Sequence, residues 1–159
     1  MSQNPRTRRD VFDVAGALVG AAAFAAAATP AAARAQAAAS SELEKANLEL
    51  VNAFCDAWST QDHAKIMGFF AEKPAYRQTE LVEPAIGRQA VSDKIAGFVN
   101  NVVKFEIHES WARGPMVINE RHDYFTGARI QWWHGVGVFL VKDAKIVEWY
   151  DYTIELRRT

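Results

Sequence analysis

The sequence predicts an α+β domain in which three helices from the N-terminal half cover a curved, mostly antiparallel sheet. Apolar residues recur at spacings of three and four before Asn100 and at a spacing of two after Asn101. This change of period is expected where helices give way to strands. Helices that precede a run of hairpin-connected strands pack together on one face of the sheet. Polar groups on the concave face are therefore the candidates for chemistry.

The first two elements are predicted to be helices. The apolar positions of the first helix follow helical spacing: Leu43, Ala46, Leu50, Ala53, Phe54, Ala57 and Trp58. Residues 59–62 interrupt this pattern, and Asp62 is a suitable N-cap for a second, short helix. That helix should end before Pro74 and should carry Ile66, Met67, Phe69 and Phe70.

A strand and a third helix are expected next. Residues 76–79 read as a short strand, and the loop that follows contains Pro84 and Gly87. The third helix should turn one apolar side toward the sheet: Val91, Ile95, Phe98 and Val99. Four antiparallel strands then follow, around residues 105–107 and over 116–125, 129–141 and 146–156.

The beginning of the chain has the features of an export signal. A basic start over residues 6–9 precedes an alanine-rich apolar run over 14–28, and Ala33-Arg34-Ala35 fits a small-x-small cleavage pattern. The arginine pair points to the twin-arginine route, although Val11 stands where that signal usually has Phe. An uncleaved membrane anchor and an ordinary helix are the alternatives.

This interpretation divides the chain into three parts. Residues 1–35 form the signal, 36–41 a short flexible lead, and 42–159 a single domain. We expect the domain to be periplasmic or secreted, with no membrane attachment once the signal is removed.

Composition narrows the classes of partner. The formal charge is −1 and the body of the chain has no basic patch, so a nucleic-acid partner is not expected. Cys55 is the only cysteine, which precludes an internal disulfide, and its apolar neighbours indicate a buried, inert thiol. No metal is expected, because metal-ligand spacing is absent from the four histidines: His63, His108, His122 and His134.

An arginine and two aspartates stand out among the predicted strands. Arg121 and Asp123 are two residues apart on one strand, so they share a face. Neither face of that strand is cleanly apolar, and periodicity leaves open whether the pair is buried. In the last strand Asp151 shares a face with Trp149. Because a tryptophan usually points into the core, Asp151 would bring a second carboxylate inside.

Two carboxylates that flank one arginine in an apolar pocket are suited to acid–base chemistry. Like charges close together do not ionise equally, so one group can keep a proton while the other acts as a base. Such a pair suits the opening of a strained ring by water. The alternative is a buried salt bridge that only stabilises the fold. Tyr76 and Gln78, two apart on the early strand, could hold a water molecule for a nearby base.

At these residues the sequence resembles the limonene-1,2-epoxide hydrolase family, within the broader SnoaL-like and NTF2-like group of cone-shaped domains. The resemblance spans roughly residues 48–156. The matching motifs are Phe69 to Glu72, Tyr76-Arg77-Gln78, Glu120-Arg121-His122-Asp123, Gly137-Val138-Phe139 and Trp149-Tyr150-Asp151-Tyr152.

The resemblance implies a one-step hydrolysis of an apolar epoxide to a vicinal diol without a cofactor. Asp151 would be the general base and Asp123 the general acid, with Arg121 bridging them. Tyr76 and Gln78 would hold the nucleophilic water. The substrate pocket would be lined by Phe125, Trp133 and Trp149. Family members also suggest a homodimer formed through the open sheet.

The sequence departs from the family pattern in several places, two of which concern residues at the site. Gln78 replaces an asparagine, which shifts the amide by roughly an ångström, and shifts of that size affect catalysis. Trp132, Trp133 and His134 replace smaller residues and would narrow or reshape the pocket. Two other functions therefore stay open. One is a SnoaL-like cyclase or ketosteroid-isomerase-like proton shuttle, and the other is a non-catalytic small-molecule-binding module.

Overall fold

The computed structural model describes residues 29–127 and 129–158. Within them, the helices are α1 (Pro30–Ala57), α2 (His63–Met67) and α3 (Arg88–Ala96). The strands are β1 (Phe70–Arg77), β2 (Ala85–Ile86), β3 (Val102–Arg113), β4 (Met116–Phe125), β5 (Ile130–Lys142) and β6 (Lys145–Arg158). Short 3₁₀ turns follow α1 and α3.

The strands form one sheet in the order β2-β1-β6-β5-β4-β3. The ladders β3–β4, β4–β5 and β5–β6 are antiparallel, and only β1 runs parallel to its neighbour β6. Two-residue turns connect β3 to β4 and β5 to β6, and strands that are neighbours in sequence from β3 to β6 are also neighbours in the sheet. The predicted α+β class with a mostly antiparallel sheet is confirmed.

Helix α1 begins earlier than its apolar pattern indicates. Thr29 caps it by accepting a hydrogen bond from Ala32 N at 3.3 Å, and Pro30 occupies the first turn. Residues 36–41, expected to be a flexible lead, are helical and exposed in the structure. The physical reason is the high helix propensity of their alanines, with no glycine or proline to interrupt the run.

The proposed division into signal, lead and domain stays a prediction, because residues 1–28 lie outside the described part of the chain. No helix over residues 29–127 or 129–158 combines the length and apolar character that crossing a membrane requires.

The second helix is shorter than predicted. Asp62 is its N-cap, as expected, and accepts from Lys65 N at 3.0 Å. However, α2 ends at Met67, and Phe70 already belongs to β1. Pro74 therefore lies inside a strand instead of ending a helix. The ladder to β6 is irregular between Phe70 and Ala75, so the missing N–H of the proline falls where regular pairing is interrupted.

The remaining predictions differ from the structure mainly at element ends. Strand β4 coincides with the predicted 116–125, β3 and β6 extend beyond their predicted segments, and β5 is shifted by one residue toward the C-terminus. The segment that forms β2 was predicted to be a loop. In the structure it is a short strand, because Ile86 pairs antiparallel with Ala75 of β1. Helix α3 ends at Ala96, so Phe98 lies past its end and Val99 lies in a 3₁₀ turn.

Aromatic side chains fill the space between the helices and the concave face of the sheet. Phe54 of α1 contacts the ring of Trp149 at 5.1 Å and that of Phe139 at 5.9 Å between centroids. Trp58 stacks on Phe105 at 4.8 Å. All of these side chains are buried. This aromatic cluster forms the apolar base against which the polar site is built.

Candidate active site

The face of β4 that points toward the helices carries Arg121 and Asp123. Burial alternates along the strand, and Val117, Asn119, Arg121 and Asp123 are the buried members. Arg121 has no exposed surface, and Asp123 is 4% exposed. The question left open by periodicity is thus decided in favour of a buried pair. The intervening residues of the strand are less buried and lie on the outer face.

A glycine in β5 makes room for the arginine. Gly137 pairs with Asn119 on one side and with Asp151 on the other. A Cβ atom at Gly137 would overlap Arg121 Nη1 and would also crowd Phe139 and Asn119. The guanidinium therefore occupies the space that a side chain at position 137 would need. This residue was matched to a family motif in the sequence, but its role beside Arg121 was missed.

Arg121 holds Asp123 through two nitrogens. Nε donates to Asp123 Oδ1 at 2.9 Å, and Nη2 donates to Asp123 Oδ2 at 3.2 Å. This paired geometry fixes the carboxylate plane relative to the guanidinium.

The same arginine also contacts Asp151. Nη2 lies 3.0 Å from both carboxylate oxygens of Asp151. Trp149 Nε1 donates to Asp151 Oδ1 at 2.6 Å. Trp149 was expected to line the pocket, but this hydrogen bond was not foreseen. It follows from the two-residue spacing of Trp149 and Asp151, which puts both side chains on one face of β6.

The third side of the guanidinium is satisfied by Asn119. Nη1 donates to Asn119 Oδ1 at 3.0 Å, and Asn119 Nδ2 in turn donates to Cys55 Sγ at 3.3 Å. Asn119 was also missed as a partner of the site. Burial raises the pKa of Cys55 to about 12, so the thiol stays protonated and serves as a hydrogen-bond acceptor instead of a nucleophile.

Aromatic rings surround the arginine as well. Its guanidinium carbon lies 4.9 Å from the ring centroid of Phe105, 5.0 Å from that of Trp133 and 5.6 Å from that of Trp149. These rings attract the cation and exclude water from it. The low local polarity strengthens every charge interaction in the site.

Burial and the shared arginine set the protonation of the two carboxyl groups. Desolvation raises the pKa of Asp123 to about 7, against the opposing effect of Arg121, and the Asp151 charge raises it further. Desolvation likewise raises the pKa of Asp151 to about 6, while Arg121 and the Trp149 hydrogen bond hold it down. Near neutral pH Asp123 therefore keeps a proton more readily, and Asp151 is more readily ionised.

The arginine itself remains charged. Burial would lower the pKa of Arg121, but Asp123 and Asp151 outweigh that effect, and the pKa is raised. The site therefore keeps one fixed positive charge between two groups that titrate near neutral pH.

A cavity opens onto both carboxylates. Its buried end is formed by Tyr76, Trp149, Asp151 and Asp123. Tyr76 stacks on Trp149 at 4.1 Å with an interplanar angle of 21°, which fixes the phenol ring in the cavity wall. Burial also raises the pKa of Tyr76 well above its usual value, so its hydroxyl keeps its proton.

The structure brings the predicted site residues together. Arg121 lies beneath the cavity, bonded to both aspartates, and the other predicted residues line it: Tyr76, Gln78, Asp123, Phe125, Trp133, Trp149 and Asp151. Gln78 follows the end of β1, so its position depends on a loop instead of a strand. The sequence did not identify five further residues that line the cavity: Thr79, Phe98, Phe105, Ile130 and Leu156.

Two residues expected to reshape the pocket lie elsewhere. Trp132 contacts His122 at 5.4 Å between ring centroids, and His134 stacks on His122 at 4.3 Å. Both therefore lie on the outer face of the sheet, and only Trp133 narrows the cavity. The alternation of strand side chains separates neighbours that the sequence places side by side.

Three of the four histidines gather on the outer face of the sheet: His108, His122 and His134. His108 Nε2 lies 2.6 Å from His122 Nδ1, and His134 Nε2 lies 2.8 Å from Glu120 Oε1. Over residues 29–127 and 129–158, no group of three or more His, Cys, Asp or Glu side chains is arranged to hold a metal ion.

Comparison with known proteins places this geometry in context. The SnoaL-like domain family matches residues 51–149. An LEH-like epoxide hydrolase from M. tuberculosis is similar in structure, with a TM-score of 0.61 and 22% sequence identity over 69% of this chain and 84% of that one. A candidate polyketide cyclase from Xanthomonas campestris pv. campestris has a TM-score of 0.58 and 18% identity, covering 69% and 90% of the two chains.

A candidate ketosteroid isomerase from Kribbella flavida has a TM-score of 0.58 and 15% identity, covering 73% of this chain and 83% of that one. At these identities the likeness concerns the fold. The NTF2-like architecture expected from the resemblance is confirmed.

Proposed function

Because this chain belongs to the SnoaL-like domain family, and because its cavity joins two buried carboxylates through one arginine, we propose that it is a cofactor-independent epoxide hydrolase. Its substrate would be an apolar epoxide and its product the vicinal diol. The observation that carries the proposal is the shared arginine, which binds both Asp123 and Asp151. The LEH-like hydrolase among the structural neighbours adds support at the level of the fold.

In the proposed reaction Asp151 is the base. Its lower pKa leaves it ionised when Asp123 still holds a proton. Asp151 takes a proton from a water molecule held by Tyr76 and Gln78, and the water oxygen bonds to one epoxide carbon. The bond from that carbon to the epoxide oxygen breaks at the same time.

Asp123 is the proposed acid in the same step. Its proton passes to the epoxide oxygen, which becomes the second hydroxyl of the diol. Arg121 stabilises the carboxylate that forms on Asp123. Its attraction to Asp151 weakens as Asp151 takes up the proton and loses its negative charge. Transfer of a proton from Asp151 to Asp123, directly or through solvent, restores the starting state. Each proton transfer of this type contributes a rate factor of about 10² to 10⁴.

No covalent intermediate is part of the proposal. Cys55 is buried and protonated, and it is separated from the cavity by the Asn119 contact to Arg121.

The direct test is turnover of terpene and styrene-type epoxides in water enriched in ¹⁸O. The expected result is one labelled oxygen in the diol, with loss of turnover in Asp151→Asn and in Asp123→Asn. Glu120→Gln is the matched control, since Glu120 is the neighbouring carboxylate of β4 but lies on the outer face with His134. Absence of turnover on every epoxide tested, with the wild-type chain folded, would reject the proposal.

A proton shuttle of the isomerase type is the second candidate, and one contact favours it. Asp123 is bound by two Arg121 nitrogens, a geometry that also suits a purely structural ion pair. Asp151 would then be the single working carboxylate. Under that hypothesis Asp123→Asn keeps activity on a substrate with an acidic C–H bond, whereas hydrolysis of an epoxide needs both groups.

Two further proposals concern assembly and location. We propose a homodimer formed through the outer face of the sheet, supported by the exposed apolar groups Trp111, Met116 and Tyr152. Sedimentation of wild type and Trp111→Glu tests the proposed dimer, with a monomeric wild type as the contradicting result.

We also propose export by the twin-arginine route, supported by Arg8 and Arg9. A reporter fusion that is exported equally well with both residues changed to Lys would contradict this proposal.

A further inference from the structure

Thr153 of β6 forms hydrogen bonds to residues on two sides of the candidate active site. Its hydroxyl accepts from Trp133 Nε1 at 3.0 Å, and its backbone N–H donates to Glu80 Oε2 at 3.1 Å. Trp133 belongs to β5, whereas Glu80 lies in the loop that follows β1. In the sheet, β6 lies between β1 and β5. Thr153 therefore joins two elements that stand on opposite sides of β6.

The contact with Glu80 takes the place of a strand partner. The parallel pairing of β1 with β6 ends at Arg77 and Tyr150, before Thr153 is reached. An N–H group at the edge of a sheet needs another acceptor there, and the Glu80 carboxylate supplies it. Hydrogen bonds from its own backbone N–H and from Thr153 lower the pKa of Glu80. The carboxylate is therefore ionised, and its charge strengthens the bond.

This bond holds the loop that carries Gln78 and Thr79. Both residues line the cavity, and both follow the end of β1, so strand pairing does not fix them. Val82 N donates to Thr79 O at 3.3 Å, which makes the segment a turn. The side chain of Glu80 ties this turn to β6. One wall of the cavity thus depends on the bond between Glu80 and Thr153.

Trp133 forms the wall on the other side. A Cβ atom at Gly135 would clash with the Trp133 ring, so the indole lies over the bare backbone of Gly135. Its ring centroid is 5.0 Å from the guanidinium carbon of Arg121, and its N–H is held by Thr153. Neighbouring strands are about 4.8 Å apart, so the backbones of β1 and β5 stand about 10 Å apart across β6. The indole occupies part of this width.

We propose that Glu80, Thr153 and Trp133 form a clamp that sets the width of the cavity and restricts the substrate to an epoxide with one compact ring. The inference rests on the proposed function for the position of the epoxide, at Asp123 and Asp151. Glu80 and Thr153 are positioning residues, because neither is among the described residues that line the cavity and each acts through a residue that does. Loss of either bond lets one wall move outward and admits bulkier ligands.

Binding of diols tests the clamp separately from hydrolysis. Calorimetry would compare phenylethanediol, which has one ring, with diphenylethanediol, which has two. The second ring adds apolar area and would strengthen binding in an open pocket, so weaker binding of the two-ring diol reports a rigid wall. We expect the wild type to bind the one-ring diol at least about fivefold more tightly, because a wall that excludes a group selects against it.

Glu80→Ala and Thr153→Val each remove one bond of the clamp. Each should lower the preference for the one-ring diol by a factor of about 2 to 10, the range expected for a single hydrogen bond. Glu80→Gln and Thr153→Ser keep an acceptor oxygen and should retain the preference. Glu83→Ala is the matched control, because Glu83 is an exposed carboxylate of the same loop, and it should also retain the preference.

Three results would overturn the clamp. The first is a wild type that binds neither diol or binds the two-ring diol equally well or better. The second is a preference that survives either Glu80→Ala or Thr153→Val. The third is an equal loss of preference in Glu80→Gln, Thr153→Ser or Glu83→Ala. Since neither diol is hydrolysed, failure of the epoxide assay would not alter these outcomes.

Discussion

Arg121 and Gly137 occupy complementary positions on neighbouring strands, since a Cβ atom at Gly137 would clash with Arg121 Nη1. The glycine is not required by backbone conformation, because its φ is not in the left-handed region. It is required by the close approach of a buried cation. The position of the Arg121 guanidinium therefore depends on Gly137, although Gly137 has no polar side chain. The positions of the two carboxylates depend on it through Arg121.

Gly137→Ala should therefore displace the guanidinium. Overpacking of a closed site costs about 1–3 kcal/mol, and the displaced arginine would lose its shared contact with the two carboxylates. We expect lower stability in urea and a loss of at least tenfold in kcat/KM on an epoxide substrate. Gly97→Ala is the control, because Gly97 has ordinary backbone and its added methyl meets only helix carbonyl oxygens at 3.4 Å or more. Wild-type kinetics in Gly137→Ala would contradict the packing argument.

Arg121→Gln should be more damaging. It removes the cation and leaves two buried carboxyl groups without a partner, a change that typically costs about 3–5 kcal/mol. The loss should be largest at pH 8, where both groups would have to ionise, and smaller at pH 5, where they can stay protonated. Urea unfolding at the two pH values measures the difference. A pH-independent loss would mean that the arginine acts through packing alone.

Stability of the wild type should also report on Asp123. Its folded pKa of about 7 lies above the value of an unfolded aspartate, near 3.9. The native state therefore binds more protons than the unfolded state between about pH 4 and pH 7. Stability from this group is fully present below pH 4 and is lost as the pH rises toward 7, by at most about 1.4 kcal/mol per pH unit.

Asp123→Asn removes this titration. Relative to the variant, the wild type should become progressively less stable between pH 4 and pH 7, as measured by urea unfolding across that range. A stability difference that does not change with pH would show that Asp123 does not titrate there.

The pH dependence of the proposed hydrolysis should be a narrow bell. Activity requires Asp151 ionised and Asp123 protonated, so kcat/KM should rise through about pH 6 and fall above about pH 7. Because the two groups share Arg121, the measured values belong to the pair. Initial rates between pH 4.5 and 9 provide the check. Activity that keeps rising above pH 8 would exclude Asp123 as the acid.

Tyr76→Phe separates the hydroxyl from the ring. The ring stacks on Trp149 at 4.1 Å, and phenylalanine preserves this contact, so stability should change little. Loss of the hydroxyl that positions water should lower kcat/KM by roughly 10- to 100-fold with a smaller effect on KM. Tyr150→Phe is a control on the other face of β6. A large loss of stability with unchanged kcat/KM would show that Tyr76 contributes only to packing and does not position water.

The alternation of side chains along β4 and β6 could be predicted from the sequence alone. Residues two apart on an extended chain share a face by covalent geometry alone, which paired Arg121 with Asp123 and Trp149 with Asp151 before any contact was known. The same local rules placed Asp62 at a helix start and located β4 at its observed bounds. The ordered motifs of the family resemblance then indicated which of these pairs meet.

Other features depended on neighbours distant in sequence. Periodicity did not decide which face of β4 is buried, because that is set by the packing of α1 against the sheet. Phe70 lies in a strand because it pairs with Ile146 of β6. Trp132 and Trp133 lie on opposite faces of β5, and only one of these faces lines the cavity. Local propensity and alternation are properties of the chain itself. Burial and the match of Gly137 to Arg121 arise only when remote segments compete for the same space.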